Sequence, residues 1–161
     1  MPGDLVVAEA AVRDEGTTGQ YVPAGFPAVA DREVTAALVA GLQDARLPHH
    51  VGIVHSKDSF YGQREPARMP VAPELEARWR VWIRAGVLCS EMEAAAIFVV
   101  ARIRQMRAGA LLLVGGNQEL EGAQSVTDET LLLDGAVAGL RALIERDRGT
   151  PGAAGQVKAH L

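Results

Sequence analysis

The chain has 161 residues, 48% of them apolar and 22% charged, with a formal net charge of -4. That suffices for one domain with its own core, and no basic block longer than two residues offers a dedicated nucleic-acid or anionic-membrane surface. Cys89 is the only cysteine, which excludes an internal disulfide and points to a reducing compartment; no apolar run is long enough to span a bilayer, so the expected location is the cytoplasm.

Leu5-Val6-Val7-Ala8 reads as a short strand after a Gly3-Asp4 turn. From Asp14 to Pro27 the chain is rich in Gly, Thr and Pro and reads as an exposed loop. Asp31 is placed to cap a helix reaching about Arg46, with Val34, Leu38, Leu42 and Ala45 as its buried stripe and Pro48 as its stop. Val51 to Val54 forms a compact β-prone run, read as a central strand. Pro73 starts a helix carrying Leu75, Trp79, Trp82 and Ile83 on one face, and Gly86 ends it. The next helix, Glu91 to about Arg107, is almost wholly apolar from Ala94 to Ala101, the pattern of a helix covered on most sides. Ala110 to Val114 is the last clear strand, broken by Gly115-Gly116. Asp128 opens a final helix whose Leu132, Ala136, Val137, Leu140 and Ile144 are expected to face inward. The expected domain is 1–148, and the Gly- and Ala-rich stretch 149–161 reads as a flexible tail. Strands alternating with helices imply an α/β layered fold. The strand count is low for the length, so short strands around residues 10 to 30 are unread or the sheet is incomplete.

Two stretches carry chemistry. Ser90-Glu91-Met92-Glu93-Ala94 sets two carboxylates and a thioether at a strand-to-helix junction. Ionised carboxylates accept hydrogen bonds from vicinal hydroxyls, and Met92 can pack on the apolar side of a sugar. The bland alternative makes Glu91 and Glu93 first-turn acids of a helix capped by Ser90. In Ser56-Lys57-Asp58-Ser59-Phe60-Tyr61-Gly62-Gln63-Arg64, the aromatic rings can stack on a base. Gln63 offers the donor and acceptor that a pyrimidine imide needs, and Arg64 or Arg68 can meet a carbonyl oxygen. The alternative there is a surface turn in which Phe60 plugs the core and Asp58 caps the loop. Together the two stretches suggest a nucleoside-like substrate. His49, His50, His55 and His160 form no metal-ligand spacing with Cys89, which reads as a core thiol. Gly115-Gly116-Asn117 reads first as a strand-ending turn and second as a ligand contact.

Gly3 to Val7, Phe26-Pro27-Ala28-Val29-Ala30-Asp31, His50-Val51-Gly52, Ser56 to Gln63 and Glu91-Met92-Glu93-Ala94 occur in an order that resembles the uridine phosphorylases, within the nucleoside phosphorylase superfamily. The resemblance covers roughly Gly3 to Arg146. It implies a three-layer α/β/α sandwich with a mixed central sheet, incomplete relative to the full family fold. It also implies a transferase reaction, uridine plus phosphate giving uracil and ribose 1-phosphate, with phosphate as co-substrate and no cofactor or metal. By the resemblance, Phe60 lines the base pocket, Gln63 bonds the uracil edge and Arg64 contacts a uracil carbonyl. Met92 and Glu93 contact ribose, and Glu91 supports the pocket. No nucleic acid or membrane is implied. The family forms dimers and commonly hexamers, so a homo-oligomer is expected, with a hetero-oligomer as the other possibility.

The chain departs from the family pattern in three ways. The family has an extra residue before Gly-Gln and another between Gln and Arg, which leaves Arg68 as a rival to Arg64. Its N-terminal portion, with a glycine-bearing loop and phosphate-holding arginines, has no counterpart here. The late-strand arginine is also missing: Val114 to Glu119 contains none. The expectation is therefore a chain with impaired phosphorolysis, set against a non-catalytic structural or regulatory subunit and a phosphate-independent nucleosidase.

Overall fold

The computed structural model describes residues 1–120, 125–126 and 128–149. Residues 150–161 of the expected tail, His160 included, lie outside the described residues. The strands are β1 (Leu5–Asp14), β2 (Ala28–Val29), β3 (His49–Lys57), β4 (Cys89–Glu91) and β5 (Ala110–Leu113). The helices are α1 (Arg32–Asp44), α2 (Phe60–Arg64), α3 (Ala72–Arg84), α4 (Ala94–Ile103) and α5 (Thr130–Gly149).

The strands form one mixed sheet with helices on both faces, the expected α/β architecture. β3 runs parallel to β1 on one side and to β4 on the other. The opposite edge of β1 is shared: β5 pairs antiparallel with Leu5 to Ala8, and β2 with Ala10 and Ala11. A register shift between Ala8 and Ala10 separates the two pairings. β1 is thus far longer than the four residues expected, and the short strands unread from sequence are β2 and β4.

Side chains alternate across the sheet, so each half of the core takes every second residue. Leu5 and Val7 point toward α1 and α5 and pack with Leu42, Leu38 and Leu111. Val6, Ala8, Ala11 and Val54 point the other way, against Ala94, Ala95, Phe98 and Val99 of α4. Asp31 caps α1 as expected, accepting from the backbone N–H groups of Glu33 at 3.0 Å and Val34 at 3.1 Å.

Four expectations about covering are corrected. Ala45 lies past the end of α1 and is exposed. In α5, Ala136, Val137, Leu140 and Ile144 are exposed, and the buried positions are Gly135 and Gly139. Glycine wins there because α1 and α5 nearly touch: a Cβ on Gly41 would lie 2.5 Å from the carbonyl carbon of Ala138. α4 is covered on one face only, leaving Ile97 and Ile103 exposed. β3 is central in the sheet, yet Val51 and Ile53 are open on the face that α1 and α5 leave uncovered. Among the described residues, no helix is long and apolar enough to cross a membrane.

Candidate functional site

β3 and β4 are parallel neighbours that end side by side, pairing Val54 with Cys89, His55 with Ser90 and Ser56 with Glu91. In parallel sheets the carboxyl ends of strands are where crevices open. β3 leads through Asp58 into α2, and β4 leads directly into α4. The amide loop and the acidic helix entrance therefore leave adjacent strands at the same end.

They line one cleft of about 1060 Å³. Phe60, Gln63, Arg64, Glu91, Met92 and Glu93 all border it, so the two stretches meet at the same space; Tyr61 does not border it. Gly115, Gly116 and Asn117 after β5 also border it. Arg68 does not; it pairs with Glu65 at 2.8 Å and its guanidinium lies 5.8 Å from the Tyr61 ring centre. A second cavity of about 500 Å³ lies between β3 and α3 and shares Lys57, Gln63, Arg64, Trp79, Gln118 and Glu119 with the cleft.

The two carboxylates are not equivalent. The Glu91 carboxylate accepts from the backbone N–H groups of Glu93 and Ala94, both at 2.6 Å, and from the Ser56 hydroxyl. Ser56, fully buried, in turn accepts from the Ala95 backbone N–H at 2.9 Å. Glu91 is thus the acceptor for the orphan donors that begin α4. Ser90 is not the cap; its hydroxyl accepts from Lys57 Nζ at 2.9 Å. Glu93 is exposed and, among the described residues, its carboxylate accepts only from the neighbouring Met92 N–H, at 3.2 Å. It is the carboxylate with capacity left for a ligand.

The amide loop is the short helix α2, not an irregular turn. Ser59 caps it, accepting from Gly62 N–H at 2.9 Å, while Asp58 ties back to Gly16 N–H at 3.0 Å. Phe60 is 46% exposed, so it is not a core plug. Arg64 lies over that ring, 5.5 Å from its centre. Gln63 Nε2 donates to Gln118 Oε1 at 3.3 Å, a long bond, while Gln63 Oε1 is buried with no partner among the described residues.

Several contributors carried no sequence signal, since their partners lie far along the chain. Trp79 Nε1 donates to Glu119 at 2.7 Å and ties α3 to the segment after β5. His55 donates from Nε2 to Asp14 at 2.9 Å, and Asp14 also accepts from Arg78 at 2.8 Å. Burial pushes the His55 imidazole below its usual range, with Asp14 opposing. Lys57 is likewise lowered by burial, with the charges of Glu91 and Glu93 opposing. Burial and then Glu91 push the Cys89 thiol up to about 11, consistent with a thiol that packs against the α4 core and carries little thiolate. Among the described residues, no group of three or more His, Cys, Asp or Glu could hold a metal ion.

A fold with parallel strand ends, an amide loop and a carboxylate-bearing helix entrance defines a class. The profile of the phosphorylase superfamily matches residues 1–145, and the chain belongs to that family. Within it, the chain is 45% identical over 152 residues to a uridine phosphorylase of Treponema pallidum, covering 91% of this chain and 58% of that protein. It is 33% identical over 130 residues to the uridine phosphorylase of Escherichia coli, covering 77% and 51%. A guanosine phosphorylase of Halorubrum lacusprofundi is 37% identical over 115 residues, covering 71% and 43%. A solved structure described as the P knowlesi homolog of P falciparum PNP superposes with a TM-score of 0.70 at 25% identity, covering 93% of this chain and 57% of that one. The chain spans about half the length of the curated relatives it matches.

Proposed function

We propose that this chain supplies the base- and ribose-holding part of a uridine phosphorylase, which converts uridine and phosphate to uracil and ribose 1-phosphate. The observation that carries the reading is the convergence of Gln63 and Glu93 on one cleft, together with the likeness to uridine phosphorylases. The unpartnered Gln63 Oε1 suits the imide N–H of uracil, and its amide N–H₂ suits an adjacent carbonyl. Phe60 offers its exposed ring to the base. Met92 packs against ribose, and the Glu93 carboxylate accepts from the ribose hydroxyls. Glu91 acts at one remove, by fixing the helix entrance from which Glu93 projects.

Breaking the glycosidic bond leaves positive character on the sugar and negative charge on the base. Glu93 faces the first and the amide loop the second, so the site works by position and electrostatics without a protein nucleophile. Inorganic phosphate is the attacking co-substrate, and the chemistry calls for no redox group. The exposed Ile97, Ile103, Val51 and Ile53 support a homo-oligomer.

The test is calorimetric titration with uridine and uracil, with and without phosphate, alongside an assay of uracil release. Saturable uracil binding with phosphate-dependent release supports the reading. A preference for a purine, or base release indifferent to phosphate, overturns it.

A further inference from the structure

Negative charge developing on the departing base needs a cation, and the amide of Gln63 is neutral. The cationic groups bordering the large cleft are few: Lys57, Arg64, and at its far end His50 and the chain's amino terminus, both bonded to Asp4. Arg64 is exposed and lies over the Phe60 ring. Lys57 differs. It is the last residue of β3, half-buried, and anchored to the Ser90 hydroxyl. An ammonium has three N–H donors, and this is the one hydrogen bond Lys57 makes among the described residues. Glu91 and Glu93 attract it through space, but it forms no ion pair among the described residues.

Its placement identifies which part of a substrate it meets. Met92 and Glu93, the ribose candidates, border only the large cleft, as does Phe60, whereas Lys57 borders both cavities together with Gln63 and Arg64, the candidates for the edge of the base. Lys57 therefore lies on the Gln63 side of the cleft, toward the polar edge of the base. We propose that Lys57 Nζ holds a carbonyl oxygen of the pyrimidine and stabilises the negative charge that gathers there as the glycosidic bond breaks. This rests on the uridine phosphorylase reading. A charge-assisted bond in a partly dehydrated cleft is stronger than a neutral one in water.

The experiment titrates wild type, Lys57→Gln, Lys57→Arg and Ser90→Ala with uracil, 2-pyrimidinone, 4-pyrimidinone and inorganic phosphate. Losing one charge-assisted bond weakens uracil binding in Lys57→Gln by about 10- to 100-fold. Lys57→Arg recovers part of the loss, and Ser90→Ala, which keeps the cation, loses less than Lys57→Gln. The decisive readout is the ratio of wild-type to Lys57→Gln affinity for each base. It collapses toward one for whichever pyrimidinone lacks the oxygen that Lys57 holds, an effect a merely structural lysine does not produce. An equal ratio for all three bases, no loss for uracil, or a loss confined to phosphate overturns the assignment. If Lys57→Gln fails to fold, Lys57→Arg carries the same comparison through an altered rather than lost ratio. Wild type that binds no uracil sinks the underlying reading, a result distinct from a defect seen only in the variants.

Discussion

Glu91 and Glu93 stand two residues apart with the same side chain, yet their surroundings predict opposite phenotypes. Glu91→Gln replaces a carboxylate that accepts from two backbone N–H groups and the Ser56 hydroxyl. The amide keeps one acceptor oxygen and turns an N–H₂ toward donors that need acceptors. A hydrogen bond to a charged group contributes about 1.5–3 kcal/mol net, and a negative charge at a helix start adds about 0.3–1 kcal/mol. The expected loss is thus about 2–4 kcal/mol of folding stability. With a urea dependence of about 2 kcal/mol per molar, the unfolding midpoint falls by about 1–2 M. Glu93→Gln removes an exposed carboxylate whose sole bond among the described residues is to the adjacent Met92 N–H. Its stability should stay within about 0.5 kcal/mol of the parent. Uridine affinity should instead fall about 10- to 100-fold, while affinity for free uracil, which has no ribose, holds. Urea titration and calorimetry on the two variants read both quantities. Unchanged stability in Glu91→Gln, or equal loss of uridine and uracil binding in Glu93→Gln, refutes the division of roles.

Gly41→Ala should destabilise by about 1–3 kcal/mol despite its better helix propensity, because the new Cβ meets α5 backbone at 2.5 Å. Gly19→Ala, with nothing within 4 Å of its Cβ, should change the urea midpoint negligibly. The neutral, buried His55 predicts a pH slope. Its folded pKa lies below the unfolded value of about 6.5, so the unfolded chain takes the proton first, and stability falls as pH drops below about 6.5. His55→Asn should flatten urea midpoints measured between pH 7.5 and 5.5, and an unchanged slope places the titration elsewhere.

α1 was readable because its signals are local: Asp31 at the cap and apolar residues on a helical period. β1 was read short because Glu9, Arg13 and Asp14 interrupt its alternation. Arg13 and Asp14 still pair in the sheet because β3 supplies Ser56 and Lys57 as partners, while Glu9 falls at the register shift. The inward face of α5 was misread for a related reason. Of the expected Leu132, Ala136, Val137, Leu140 and Ile144, Leu132 packs on the core, but Gly135 and Gly139 set the approach to α1, and close backbone contact decided the orientation of the rest. In the cleft, the motif residues were recognisable by type and order. The distinction between Glu91 and Glu93 was not, since it depends on Ser56, which lies 35 positions upstream. Lys57 carries no such signal, because a lysine after a strand ordinarily means solvent; its half-buried place depends on β4, whose Ser90 accepts from it.

The Ser56 hydroxyl joins three things that a chain must bring into alignment: the tip of one strand, the carboxylate ending the next, and the first turn of a helix. β4 is held to β3 by only three residue pairs, too few to resist sliding by themselves. A slip by one residue would turn Glu91 to the opposite face of the sheet and leave the hydroxyl facing a stranger. A single buried oxygen thus acts as an alignment pin, and the same event that seats the helix also sets the spacing between the two walls of the cleft.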